Sequence, residues 1–171
     1  DVDNDSSTND TCLLLANGMS GNPMIDNTSS GAGDFVAAVR QVAVHLAKEI
    51  ARDGEGATKL VEVEVSGARS QNDARLAARS VSSSPLVKTA VYGRDPNWGR
   101  ILMAVGKTGI SVDESKIQIY INDIQIVEAG VAIPFHGPSV VAALAETEVY
   151  LRIVLNIGDG TARAWGCDLT E

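Results

Sequence analysis

The stretch LVKTAVYGRDPNWGRILMAVG, Leu86 to Gly106, organises the reading of the whole chain. Apolar runs flank a polar centre, Gly93-Arg94-Asp95-Pro96-Asn97-Trp98-Gly99-Arg100. Pro96 suits the first turn of a helix, where its missing N–H is not needed. Asp95 stands at the expected N-cap, and Gly106 at the expected C′ position. The pattern predicts a turn feeding a short, largely buried helix. Arg94, Asp95, Asn97 and Arg100 crowd that turn beside Trp98. Their plainest role is structural, with Arg94 or Arg100 paired to a carboxylate. Loops on rigid elements also collect binding groups, so a site role stays open.

Working outward, the 171 residues are 44% hydrophobic, enough for one real core. The net charge of −8 argues against nucleic acid or an anionic membrane as partner. Aromatic residues make up only 4%, too few for a base-stacking platform. No run of eighteen apolar residues and no secretion signal is visible, so a soluble chain is expected. Cys12 and Cys167 read as buried free thiols, with a single disulfide as the other reading. The glycosylation-type triplets at Asn4, Asn9 and Asn27 carry no weight without a signal peptide. The absent initial Met and the abrupt ends suggest a processed subunit or a fragment.

Upstream, Asp3 to Thr11 is a turn-rich polar stretch, tied to a buried run at Cys12 to Ala16. Ser20 to Gly33 is a loop, expected to be mobile. Asp34 then caps a helix whose apolar stripe is Phe35, Val36, Val39, Val42, Ala43, Leu46 and Ile50. His45 falls at the stripe's edge and reads as half-buried packing rather than a ligand. The turn Asp53-Gly54-Glu55-Gly56-Ala57-Thr58-Lys59 follows. Val61, Val63 and Val65 then alternate with Glu62 and Glu64 as a strand. Glu55 is held where backbone can approach a ligand, and a carboxylate there can hold an ammonium. A solvent-facing turn acid is the equal alternative.

Further on, Asn72 to Ser80 is an amphipathic helix capped by Asn72 or Asp73, with Leu76 and Val81 buried. Beyond the central stretch, Ile117–Ile121 and Ile124–Val127 flank Asn122-Asp123 as a β-hairpin. Ala129 to Pro138 is loop, with His136 in it. Ser139 to Thr147 is a helix. Val149 to Leu155 and Thr161 to Leu169 form a second hairpin. This order is α+β: a mixed or antiparallel sheet backed by helices.

Several chemistries are excluded by pattern. Gly106-Lys107-Thr108 is no phosphate loop, because Ile101 stands where that motif needs Gly. There is no dinucleotide fingerprint and no nucleophile elbow, and two His with two distant Cys make no metal set. The chain carries no recognisable nucleophile.

Four blocks nevertheless resemble one family in order and spacing. They are Asp3-Asn4-Asp5-Ser6-Ser7-Thr8-Asn9-Asp10-Thr11, the 53–59 turn, the 93–100 block, and Ala164-Trp165-Gly166-Cys167-Asp168-Leu169-Thr170. The chain resembles the β-subunit region of the bifunctional ornithine acetyltransferase / N-acetylglutamate synthase of arginine biosynthesis. The resemblance runs over nearly all of residues 1–171, as a single domain or large fragment of that subunit. It implies a larger, layered α/β enzyme of the N-terminal-nucleophile type. Its precursor cuts itself before a Thr, which becomes the acetyl-accepting nucleophile. Acetyl passes from acetylornithine, or from acetyl-CoA in bifunctional members, to glutamate. The implied partners are the α-subunit of the same precursor and further β copies, in a heterotetramer. No bound cofactor or metal is implied, and the location is cytoplasmic, or organellar in a eukaryote.

Of the family's site, Glu55 matches the substrate-binding acid. The nucleophilic Thr is expected upstream of Asp1, and the oxyanion donors on the α-subunit. A substrate-binding Asn and a terminal Thr are expected after Glu171. The isolated chain is therefore expected to be inactive and prone to self-association. Two other readings stand beside this one: a catalytically silent binding or assembly module of the same fold, and a related acyl or peptide hydrolase.

Overall fold

The computed structural model describes residues 1–3 and 5–170. Asn4, the acceptor of one glycosylation-type triplet, and Glu171 lie outside the described residues. The elements are α1 (Ala32–Arg52), β1 (Leu60–Ala68), α2 (Gln71–Ser82), α3 (Pro85–Tyr92), α4 (Trp98–Gly106), β2 (Gln118–Ile121), β3 (Ile124–Glu128), β4 (Val131–Ala132), α5 (Gly137–Ala145), β5 (Glu148–Val154) and β6 (Gly160–Cys167). The six strands form one mixed sheet in the order β4-β3-β2-β5-β1-β6. Among the described residues only β1 and β5 pair in parallel. The expected α+β class, a mixed sheet backed by helices, is the observed one.

Period-two alternation decides which face of the sheet is apolar. Val61, Val63 and Val65 are buried, as are Val149, Leu151 and Ile153 beside them. They share one core with Ala74, Ala77, Ala78 and Val81 of α2, Val87 and Val91 of α3, Ile101, Ala104 and Val105 of α4, and Val140 and Leu144 of α5. Each such aliphatic side chain contributes about 1.5–3 kcal/mol by leaving water. A one-residue slip would turn the whole row outward, so the register is strongly fixed. The opposite face is a charged ladder. Glu64 lies between Arg152 and Arg163 on its two neighbouring strands, and Glu62 between Tyr150 and Trp165.

The second hairpin is not one. β5 and β6 run antiparallel, but β1 lies between them. The loop between them crosses the end of β1 instead of turning back on β5: Leu155 N–H donates to Ser66 O at 2.9 Å and Ile157 N–H to Gly67 O at 2.8 Å. This crossing passes so close to the β1–α2 connection that a Cβ on Gly160 would meet the Ser70 carbonyl. The first hairpin is as expected, with Ile121 opposite Ile124 and Asn122 in the left-handed region at φ 49°.

Three N-caps and one C-terminal stop differ from their expected residues. Asn97, not Asp95, caps α4 by accepting from Arg100 N–H, while Asp95 accepts from the Asn97 amide at 3.0 Å. Gly106 is the last residue of α4 rather than its C′ stop. Ser70, not Asn72 or Asp73, caps α2, its hydroxyl accepting from Asp73 N–H. α1 starts after Gly31 with no side-chain cap, and Asp34 sits in its first turn. α5 begins at Gly137, two residues earlier than expected, and the preceding loop holds the short strand β4.

The apolar surface of the N-terminal third is not buried by the described residues. Leu13, Leu14 and Leu15 are 78%, 77% and 91% exposed, in no helix or strand, so the expected buried run is absent here. α1 is helical as expected, yet Phe35, Val36, Val42, Leu46 and Ile50 face outward. Only its C-terminal end is anchored, through buried Ala51 and an ion pair from Lys48 to Glu62 at 2.7 Å. Cys12 and His45 are exposed for the same reason, whereas Cys167 is buried. Leu76 of α2 is also exposed. Among the described residues no helix is long and apolar enough to cross a membrane.

Candidate functional site

Residues 53–59 join α1 to β1. Asp53 closes α1, its N–H donating to Glu49 O at 2.9 Å. Gly54 to Ala57 then make a tight turn closed by Ala57 N–H to Gly54 O at 2.9 Å. Gly56 has φ 70°, a conformation that glycine adopts without steric cost. Glu55 is exposed at the crest and makes no hydrogen bond or ion pair among the described residues.

The turn rests on the tail of β6. A Cβ on Gly54 would lie 3.1 Å from the Cys167 thiol, and one on Gly56 2.8 Å from the Thr170 hydroxyl. Asp168 sits between these two supports with a fully buried side chain. Its Oδ1 accepts from Thr58 N–H at 2.8 Å and Lys59 N–H at 2.9 Å. Its Oδ2 accepts from the Thr58 hydroxyl at 2.5 Å and faces Lys59 Nζ at 3.4 Å. Burial opposes the charge on Asp168, but these hydrogen bonds and the Lys59 ammonium outweigh it and hold the carboxyl below its usual range. The Lys59 ammonium also lies 5.4 Å from the Tyr92 ring centre.

Beside this support, Lys88 is buried and donates to Asp1 O at 3.2 Å and to Val2 O. Its Nζ is 3.9 Å from the Cys167 thiol. Burial lowers the Lys88 pKa from its ordinary value, against the opposing pull of Cys167 and Asp3. The N-terminal residues and the β6 tail are thus locked together behind the turn.

The 93–100 block forms a turn and a helix cap. Arg94 bends the backbone at φ 55°, and Asn97 caps α4. Arg100 ties α4 to α3 by donating to Leu86 O at 2.9 Å and to Thr89 Oγ1 at 3.1 Å. The carboxylate partner expected for Arg94 or Arg100 is not there among the described residues. His136 bonds Ser139 Oγ through Nδ1 at 2.7 Å, next to the start of α5. A cleft of about 370 Å³ lies elsewhere, between Arg75 and Arg79 of α2 and Arg163 to Trp165 of β6, and Glu55 does not line it.

The turn that carries Glu55 is therefore brought together with Asp168 and Thr170 through Gly56, Thr58 and Lys59. Sequence reasoning missed Asp168. The available signal was an acid set between Cys167 and Leu169 directly after a strand, where an ionised side chain needs a built-in partner.

A sequence model described as the ArgJ family matches residues 1–171. The chain is 50% identical over 169 residues to the arginine biosynthesis bifunctional protein ArgJ of Symbiobacterium thermophilum, and 44% identical over 169 residues to that of Dehalococcoides mccartyi. Each alignment covers 99% of this chain and 42% of the relative, so the chain spans well under half the length of these curated relatives. The crystal structure of the Bacillus halodurans arginine biosynthesis bifunctional protein argJ superposes with a TM-score of 0.96 at 42% identity, over 99% of this chain and 80% of that one. Because the family model matches the whole of residues 1–171, this chain belongs to the ArgJ family.

Proposed function

We propose that this chain is the β-subunit region of a glutamate N-acetyltransferase of arginine biosynthesis, and that Glu55 binds the substrate. The observation that carries the reading is the rigidly seated turn that lifts an otherwise unbonded carboxylate into the open. An exposed acid on a fixed turn is a suitable partner for an alkylammonium, and a charge-assisted bond to it is stronger than a neutral one. Ornithine and its N2-acetyl derivative carry such a group. Membership in the ArgJ family supports the assignment.

The chemistry is divided between this chain and the rest of the protein. A Thr hydroxyl outside this chain attacks the acetyl carbonyl of acetylornithine, its proton passing to the free α-amine of the same Thr. Ornithine leaves with a proton on its amine, and an acetyl-threonine ester remains. The amine of glutamate then attacks that ester, giving N-acetylglutamate and the free hydroxyl. Acetyl-CoA is a second acetyl donor in this reading. Glu55 takes no part in bond making and holds the ammonium while the acyl group moves.

The remaining walls of the site come from the α-subunit of the same precursor and from further β copies, in a cytoplasmic assembly. Residues 1–171 act in it as one folded unit, inactive alone. In the full-length protein, Glu55→Ala should raise KM for acetylornithine at least tenfold, the scale of a lost charge-assisted bond of about 1.5–3 kcal/mol. An unchanged KM would remove Glu55 from the site.

A further inference from the structure

Because Glu55 makes no hydrogen bond or ion pair among the described residues, its position is set by the backbone beneath it. That backbone is gripped by one carboxylate 110 residues away from Thr58 in sequence. We propose that Asp168 is a positioning residue for Glu55. It fixes the far limb of the Gly54-Glu55-Gly56 turn and thereby the point from which Glu55 meets an ammonium-bearing substrate. This inference rests on the substrate-binding reading of Glu55 given above.

Both oxygens of Asp168 are committed to the turn. Oδ1 takes two consecutive backbone N–H groups, and Oδ2 takes the Thr58 hydroxyl and faces the Lys59 ammonium. The Asp168 backbone answers in the other direction, its N–H donating to Lys59 O at 3.2 Å. The neighbours of Asp168 complete the seat, with the Cys167 thiol and the Val2 methyls under Gly54 and the Thr170 hydroxyl under Gly56. Glu55 lies between those two glycines, so the β6 tail holds the turn on both sides of it. The tail reaches this far because β6 pairs with β1 up to Leu60 opposite Cys167 and then continues past the strand's start. A carboxylate suits the task because every partner it meets is a donor. Asp168→Asn would set an N–H₂ group against the Thr58 hydroxyl and the Lys59 ammonium, taking the hydroxyl's acceptor and leaving the ammonium only its 3.5 Å contact with Thr58 Oγ1. A small displacement of a binding group far from the reacting atoms is enough to weaken substrate positioning.

The test is steady-state kinetics on acetylornithine in the full-length protein, comparing wild type, E55Q, D168N, T58V and the doubles E55Q/D168N and E55Q/T58V. T58V removes the hydroxyl bond to Asp168 and the longer 3.5 Å contact from Lys59 Nζ, keeps both backbone N–H bonds, and decides the matter if D168N does not fold. A positioning role gives a KM raised about tenfold by D168N and about threefold by T58V, with kcat within about twofold, and almost no further rise in the E55Q background. Equal KM factors in both backgrounds, or a loss of kcat at unchanged KM, would overturn it. A raised KM in E55Q with unchanged KM in D168N and T58V sinks the positioning role alone. An unchanged KM in E55Q sinks the reading of Glu55, whatever the other variants do.

Discussion

Asp168 and Lys59 exchange hydrogen bonds in both directions: Lys59 N–H donates to Asp168 Oδ1 at 2.9 Å, and Asp168 N–H donates to Lys59 O at 3.2 Å. Their side chains add a buried ion pair at 3.4 Å. This one junction joins the start of β1 to the end of β6, and so joins the turn to the sheet. Removing the carboxylate would strand a buried ammonium and two backbone N–H groups. Asp168→Ala should therefore cost about 3–5 kcal/mol, and the melting temperature of the full-length protein should fall by about 10 °C. A drop below about 2 °C would mean that water or another group replaces the carboxylate without loss.

The same junction sets an acid limb to stability. The Asp168 carboxyl titrates below its ordinary value of 3.8 when folded: burial raises its pKa, and hydrogen bonds from Thr58 and Lys59 more than reverse that. Glu62 behaves alike below its ordinary value of 4.5, burial being outweighed by Lys48 and Trp165. A depressed folded pKa means that the unfolded chain takes up protons first as pH falls. The stabilisation is complete above the ordinary values and is lost as pH falls through the folded ones. The difference in melting temperature between wild type and D168N should be constant above about pH 5 and should shrink below it. A difference that grows with acidification would reverse the assigned sign.

Close approach, rather than turn conformation, constrains Gly160. A Cβ there would meet Ser70 O and lie 2.9 Å from Gln71 N, backbone that also begins α2. Neither can move without disturbing the α2 cap, so Gly160→Ala should cost about 3 kcal/mol or more. Gly106 is the useful contrast. It is helical and nothing lies within 4 Å of its Cβ direction. Gly106→Ala should stabilise by about 0.5–1 kcal/mol. Thermal melts of the two variants should move in opposite directions.

The sheet and its helices are legible in the sequence because their side chains solve a local problem. Val61, Val63 and Val65 alternate against Glu62 and Glu64, and that alternation alone names the buried face. Strand order is another matter. Nothing in Val149–Leu155 or in residues 161–169 says that β1 will lie between them; the pairing is set by β1 offering both edges, and by a loop that can cross its end. Caps err by two or three residues because Asp95, Asn97, Asn72, Asp73 and Ser70 are all chemically competent, and the winner is chosen by where the preceding chain enters. Glu55 is visible through its glycines. Asp168 is not, because its role depends on a contact far away in sequence. The stripe of α1 shows the limit most directly: periodicity names an apolar face but does not say what covers it.

That uncovered stripe gives the last prediction. Phe35, Val36, Val42, Leu46 and Ile50 are each more than half exposed, and Leu13, Leu14 and Leu15 add a second apolar surface. Contiguous apolar area of this kind drives association in water. The 171-residue chain alone should therefore self-associate with rising concentration, seen as growth of scattering mass in light scattering after size exclusion. Leu46 and Ile50 are one helical turn apart on the same outward face. The double variant L46E/I50E should shift the chain toward a monomer while changing its melting temperature by no more than about 2 °C, since neither side chain packs into the core. If the double variant instead lost its fold, the stripe would be covered by this chain itself in solution. A wild-type chain that stayed monomeric at high concentration would carry the same meaning.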